Sequence, residues 1–268
     1  MNYRQESKGV QPRKRLQFER LVVEVYETRE EMGAAAAARV AEALRQALAA
    51  EEAARARVIF AAAPSQNEFL SSLQQEREID WPRVVGFHLD EYLGLPADAP
   101  QTFRTYLRDH IIAAVKPGVM NWIDGDTTDP TAECERYARL IDGAPLDVAC
   151  IGIGENGHLA FNDPPVADFA DPVSVKVVEL DPRDRRQQVN DGCFPNLDAV
   201  PRQAITVTIP PIMRSRFISC VVPGPRKAEA VRAALTGPVT TDCPASILRR
   251  HPNAVLFLDE AAASLLTV

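Results

Sequence analysis

The sequence predicts an α/β protein with a doubly wound, mostly parallel sheet and helices on both faces, a Rossmann-like three-layer sandwich. Three observations predict it. Short apolar runs alternate with helical patterns from one end of the chain to the other. Several runs are nearly continuous in Val, Ile, Leu, Phe and Ala, as strands covered on both faces are. The 268 residues, 46% of them hydrophobic, suffice for one large domain with a sizeable core.

In order, LVVEVYE (21–27) reads as a strand and the Ala-rich stretch at roughly 31–56 as a helix. VIFAAA (58–63) is a second strand. Ser65 and Glu68, spaced as a capping box, open the next helix. RVVGFHL (83–89) is a third strand, and a loop rich in Pro and Asp leads to an amphipathic helix near 101–115. Residues 129–141 read as helix and LDVACIGIG (146–154) as a buried strand ending in glycines. VSVKVVEL (173–180), AITVTI (204–209) and FISCVVP (217–223) follow as strands. PRKAEAVRAALTG (225–237) is a helix opened by Pro225 and closed by Gly237, and AVLFLD (254–259) is the last strand. No repeat and no Gly/Ser linker divides residues 19–268, which read as a single domain. Residues 1–18 read as a loosely ordered arm carrying a solvated Arg13-Lys14-Arg15 cluster.

Composition narrows the function. With 30 basic against 37 acidic residues, net −7, the protein repels a nucleic-acid backbone, and 6% aromatics offer little for base stacking. The first twenty residues lack the apolar core of a signal peptide, and no apolar stretch approaches the ~20 residues that span a bilayer. Five scattered cysteines form no zinc or disulfide pattern, which points to a reducing cytoplasm. The partner expected is a small anionic molecule, neither nucleic acid nor membrane. The sequence leaves the oligomeric state open, a homo-oligomer included.

In open α/β sheets ligands bind beyond the carboxyl ends of the strands. Four polar clusters fall at such places: Ser65-Gln66, Asp90-Glu91, Gly154 to His158, and Gly224 to Lys227. Asp90, directly after an apolar strand, is either a general base of raised pKa or a loop residue closing an Asx turn. Gly152, Gly154 and Gly157 match G-x-G-x-x-G, but the run Phe161-Asn162-Asp163-Pro164-Pro165 breaks any helix there, so nicotinamide binding is set aside. His158 reads as an acid/base residue with Asn156 and Asp163 near enough to orient its ring, or else as a solvated loop histidine. His88 reads as a packing residue, and His110 and His251 as surface or structural. Ser65 and Lys227 mark strand-to-helix junctions suited to an anion, with a solvated lysine as the alternative.

LDEYLGLP (89–96), GIGENGHLAFNDP (152–164), VPRQAITVTIPPIM (200–213) and PGPRKAEAVRAALTG (223–237) together resemble the glucosamine-6-phosphate deaminase/isomerase family, related to the 6-phosphogluconolactonases. The resemblance implies a doubly wound α/β sandwich that opens an amino-sugar phosphate ring, moves a proton between C2 and C1, and releases ammonia to leave fructose 6-phosphate. It implies Asp90 as the base, His158 as the group assisting ring opening, and Asn156 and Asp163 as its tuning partners. Ser65, Gln66 and Lys227, with Glu91, are the implied sugar-phosphate contacts. Neither metal nor organic cofactor is implied. Related lactonases follow the Asp-Glu pair with Arg where this chain has Tyr92, and continue the histidine loop with Ser-Leu-Phe-Pro.

The chain departs from the family pattern at three places. Asp163 stands where members usually have Glu. Ser65-Gln66-Asn67 replaces a Thr-Gly-Gly or Ser-Gly phosphate loop. RRQQVNDGCF lacks the arginine that members place before a Phe pair, leaving Arg183, Arg185 and Arg186 upstream. The expectation is an amino-sugar phosphate deaminase; a sugar-lactone hydrolase and a non-catalytic sugar-phosphate sensor are the alternatives.

Overall fold

The computed structural model describes residues 10–50 and 54–266. Its strands are β1 (Lys14–Phe18), β2 (Leu21–Tyr26), β3 (Ala56–Phe60), β4 (Val84–His88), β5 (Asp90–Tyr92), β6 (Val119–Met120), β7 (Val148–Ile151), β8 (Val175–Glu179), β9 (Gln203–Val207), β10 (Phe217–Val222) and β11 (Ala254–Asp259). Eight of them form one sheet in the order β1-β2-β11-β10-β7-β3-β4-β6, parallel throughout except for β1 at its edge. The helices are α1 (Arg29–Ala49), α2 (Asn67–Gln75), α3 (Phe103–Leu107), α4 (Ala113–Val115), α5 (Pro130–Asp142), α6 (Pro182–Asn190), α7 (Ile209–Met213) and α8 (Ala228–Thr236).

The continuous apolar strands bury both faces. Val58 and Phe60 of β3 join a core with Met32 and Leu44 of α1 and Phe69 of α2, while Ile59 points the other way, to a core with Tyr137 of α5 and Val231 of α8. The three layers predicted from the sequence are the layers observed. From β3 the chain moves through α2 to β4, whereas from β7 it goes to β10 on the opposite side. The connections diverge between β3 and β7, and this switch point opens a crevice at the carboxyl ends of the central strands.

Five expectations are corrected. Residues 14–18, assigned to a loose arm, form β1 and pair antiparallel with β2; Arg15 lies 3.5 Å from the buried Glu24, and Arg13 pairs with Glu27. The remainder of that arm, residues 1–9, lies outside the described residues. Helix α1 begins two residues early, because Thr28 Oγ1 accepts the Glu31 N–H at 3.1 Å, and it ends at Ala49, a stop that an Ala-rich sequence does not advertise. Ser65 caps nothing: Pro64–Gln66 form a 3₁₀ turn ahead of α2, and Glu68 pairs with Arg29 at 3.0 Å instead. The helix near 101–115 is α3 and α4 joined by a π-helical segment, Arg108–Ile112.

The fifth correction matters most. VSVKVVEL and AITVTI are not in the parallel sheet; as β8 and β9 they form a separate antiparallel sheet with β5. Their polar members betray it, since Lys176 and Thr206 sit where a doubly covered strand would carry only apolar residues. No helix among the described residues is long and apolar enough to cross a membrane.

Replacing Thr28 with Ala removes the α1 cap, a loss of about 1 kcal/mol. Thermal denaturation should show a Tm lower by about 2–4 °C.

Candidate active site

Leu89 is where the chain leaves one sheet for the other. Its N–H donates to Phe60 O of β3 at 3.1 Å, and its carbonyl accepts from Val207 N of β9 at 2.8 Å. The next residue, Asp90, opens β5 opposite Thr206 of β9. Asp90 is 8% exposed and lines a cleft of roughly 530 Å³ of open space at the switch point.

The histidine loop follows β7 and faces Asp90 across that cleft, which His158 also lines. His158 Nδ1 lies 3.0 Å from Asp163 Oδ1, and Asn156 Nδ2 donates to the same oxygen at 2.7 Å. Asn156 Oδ1 in turn accepts the His158 N–H at 3.1 Å. Burial alone would push the Asp163 carboxyl up, but the hydrogen bond and charge of His158, helped by Asn156, prevail and hold it below the ordinary carboxylate range. The Nδ1 contact with Asp163 fixes the orientation of the ring in the cleft.

Glycines make this loop. A Cβ on Gly154 would fall 2.2–2.4 Å from the His158 ring, so the imidazole lies where any side chain at 154 would be. Gly157 has φ +86° and donates to Gly154 O at 3.0 Å, which turns the chain back. The loop is anchored to the smaller sheet, because Phe161 N donates to Thr206 Oγ1 at 3.1 Å and Asn162 Nδ2 to Val207 O at 2.9 Å. Phe103 and Phe161 wall the cleft and stack with buried Tyr92, centroids 4.7–5.7 Å apart.

At the other end of the cleft stand Ser65, Gln66 and the buried Lys227, on the 3₁₀ turns after β3 and β10. A second opening of roughly 670 Å³ continues from there, lined by Arg29, Arg226, Gly224 and again Ser65, Gln187 and Lys227. Arg226 is paired with Asp191 and, at 3.5 Å, with Glu155. Asp259 shapes this turn by accepting the Gly224 N–H at 2.9 Å.

The structure thus brings Asp90, His158, Ser65, Gln66 and Lys227 to one cleft, with Asn156 and Asp163 behind the histidine. Glu91 does not join them. Its Oε1 accepts from Tyr92 N at 2.9 Å and Phe103 N at 3.1 Å, and its Oε2 from Arg104 N at 2.9 Å, so it holds the start of α3. Burial pushes its carboxyl up to about 7, against those N–H groups and the charge of Arg104. The adjacent-carboxylate pattern misled because consecutive strand residues face opposite ways. The other histidines are structural, as expected. Buried His88 accepts the Ile123 N–H at 2.8 Å, His110 stacks on Tyr106, and His251 lies 2.9 Å from Ser215 O. Burial first, then Arg104, depress His88 to about 3.

Gln187 and Gln188 of α6 also line the cleft and were not anticipated. The start signal was present, since Asp181 caps α6 and Pro182 occupies its first turn. The polar composition of the segment hid it. Arg185, upstream of them, spends its guanidinium on Leu197 O and Val200 O at 2.6 and 2.9 Å.

Comparison with known proteins matches residues 27–257 to the family of glucosamine-6-phosphate isomerases/6-phosphogluconolactonase. The chain is 40% identical over 189 residues to a glucosamine-6-phosphate deaminase of Exiguobacterium sibiricum, covering 70% of this chain and 73% of that one. It is 34% identical over 209 residues to that of Lactobacillus helveticus, covering 78% and 85%. Among solved structures, it is similar to a monomeric glucosamine-6-phosphate deaminase with a TM-score of 0.82 and 32% identity, over 91% of this chain and 99% of that one. A 6-phosphogluconolactonase from Shewanella baltica shares the fold, with a TM-score of 0.74 at 18% identity over 91% and 100%.

Two outcomes follow from this geometry. Gly154→Ala should expel the His158 ring, and the histidine's NMR titration should move away from that of the wild type while the fold is retained. Glu91→Gln should flatten the pH dependence of stability. A carboxyl raised in the folded state stabilises fully below its ordinary range and loses that contribution as the pH rises through about 7. Urea denaturation between pH 5 and 8 should therefore show wild type declining relative to the variant.

Proposed function

The chain belongs to the glucosamine-6-phosphate isomerase/6-phosphogluconolactonase family, and from that premise we propose that it is a glucosamine-6-phosphate deaminase, an aldose–ketose isomerase that hydrolyses off the amino group. The observation that carries this reading is the meeting of Asp90 and His158 over one cleft with a cationic end at Ser65 and Lys227.

In this reading the phosphate lies between the two 3₁₀ turns, receiving the Ser65 hydroxyl, backbone N–H groups and the Lys227 ammonium. The sugar then extends toward Asp90. His158, backed by Asp163 and Asn156, gives a proton from Nε2 to the ring oxygen as the C1 hydroxyl loses its own, which opens the ring. Asp90 takes the proton from C2 and returns it to C1, through an enolamine. The resulting C2 imine adds water and releases ammonia, leaving fructose 6-phosphate. The aromatic wall of Phe103 and Phe161 limits water around the carboxylate and so favours its basic role. The cytoplasm is the compartment proposed, in keeping with five free thiols, four of them buried.

Lactone hydrolysis would use the same cleft and histidine but needs no proton transfer between carbons. The distinction is measurable. Glucosamine 6-phosphate should release ammonia, and Asp90→Asn should lower the rate by about 100-fold or more. In heavy water the fructose 6-phosphate formed should carry deuterium at C1. Ammonia release that survives the substitution would remove Asp90 from the mechanism, and turnover of a lactone without deuterium would make the protein a hydrolase of the lactonase kind.

A further inference from the structure

Gln66 lies on the 3₁₀ turn after β3, and its amide is unusually constrained. The residue is 1% exposed, so bulk water does not serve it. Its side chain leaves the turn after β3, crosses the end of β7 at Gly152 and reaches β10, where Nε2 donates to Val221 O at 3.2 Å. A Cβ on Gly152 would stand 3.1 Å from that nitrogen, so the glycine provides the passage. Nε2 also lies 3.3 Å from Ser65 Oγ, which accepts from it and keeps its own hydrogen to donate. Val221 O can only accept, so the two ends of the amide cannot be exchanged. Oε1 is therefore the remaining end, buried on a residue that lines the cleft, with no hydrogen-bond partner among the described residues.

An orphaned buried acceptor calls for a donor. A phosphate dianion brings only acceptor oxygens, which Oε1 repels. We propose that Gln66 is a specificity-determining residue whose Oε1 accepts a hydrogen bond from a hydroxyl or protonated amino group of the sugar, while the phosphate is left to Ser65 and Lys227. The assignment rests on the sugar-phosphate reading of the cleft. It makes the turn after β3 a reader of the sugar as well as an edge of the proposed anion site.

The test uses an unreactive open-chain probe, 2-amino-2-deoxyglucitol 6-phosphate, and its counterparts lacking single hydroxyl groups or the amino group, with affinity measured by calorimetry. On wild type one counterpart should bind about 10- to 100-fold more weakly than the parent. In Gln66→Met, which removes the acceptor, that penalty should shrink to less than about threefold. Penalties below about threefold for every counterpart on wild type would overturn the assignment without recourse to a variant, as would an unchanged penalty in folded Gln66→Met. Failure of the parent probe to bind wild type would overturn the sugar-phosphate reading as well, whereas binding with even penalties would sink the role of Gln66 alone.

Discussion

The active cleft depends on one junction between two sheets. Asp90 and His158 come from segments that follow different strands of the parallel sheet, and nothing in that sheet alone dictates their separation. The small antiparallel sheet does. Asp90 sits opposite Thr206 in the β5–β9 register, and the Thr206 hydroxyl accepts the Phe161 N–H three residues after the histidine. Leu89, bonded to both sheets through its own backbone, fixes the point from which Asp90 departs. A carboxylate and an imidazole are thereby referred to a single threonine, which is a stiffer arrangement than two loops resting on separate strands.

That stiffness has a local cost. The loop from Gly152 to Asp163 makes its turns with Gly157 at φ +86° and Ala160 at φ +50°, a conformation that a Cβ disfavours. The hydrogen bonds around Asn156, Asp163 and Asn162 offset the strain by tying the loop to itself and to β9. Asn156 bonds the same Asp163 oxygen that holds the ring. The imidazole can approach so close only because residue 154 has no side chain.

Much of this was legible in the sequence. Strands buried on both faces announce themselves as continuous apolar runs, which is why LVVEVYE and AVLFLD correspond to β2 and β11 nearly end to end. The motif residues Asp90, His158, Ser65 and Lys227 were placed at strand ends, and the fold then brought them together. What was not legible depends on partners remote in the chain. β1 is a strand because β2 offers it an edge, and KRLQF, with Lys14, Arg15 and Gln17 among its five residues, gives little hint of that. Asp90–Tyr92 is a strand because β9 lies beside it. Glu91 reads as a ligand contact because it adjoins Asp90; its role in holding α3 depends on where residues 103 and 104 return.

The electrostatics of the cleft also reconcile two facts that seem opposed. A protein of net charge −7 repels polyanions as a whole, yet the proposed substrate is a phosphate ester. The positive potential is local and mostly not a matter of free surface cations. Arg29 and Arg226 are each tied to acidic neighbours, Glu68 for the first and Asp191 with Glu155 for the second. The cation that lines the cleft itself is the buried Lys227, whose field is screened within about a Debye length of the cleft mouth. Such a site attracts one small anion that fits and offers nothing to an extended chain of phosphates. The phosphate contributes the same charge for every hexose 6-phosphate, so selectivity among sugars has to be written in contacts to the rest of the sugar, which is the role proposed for Gln66.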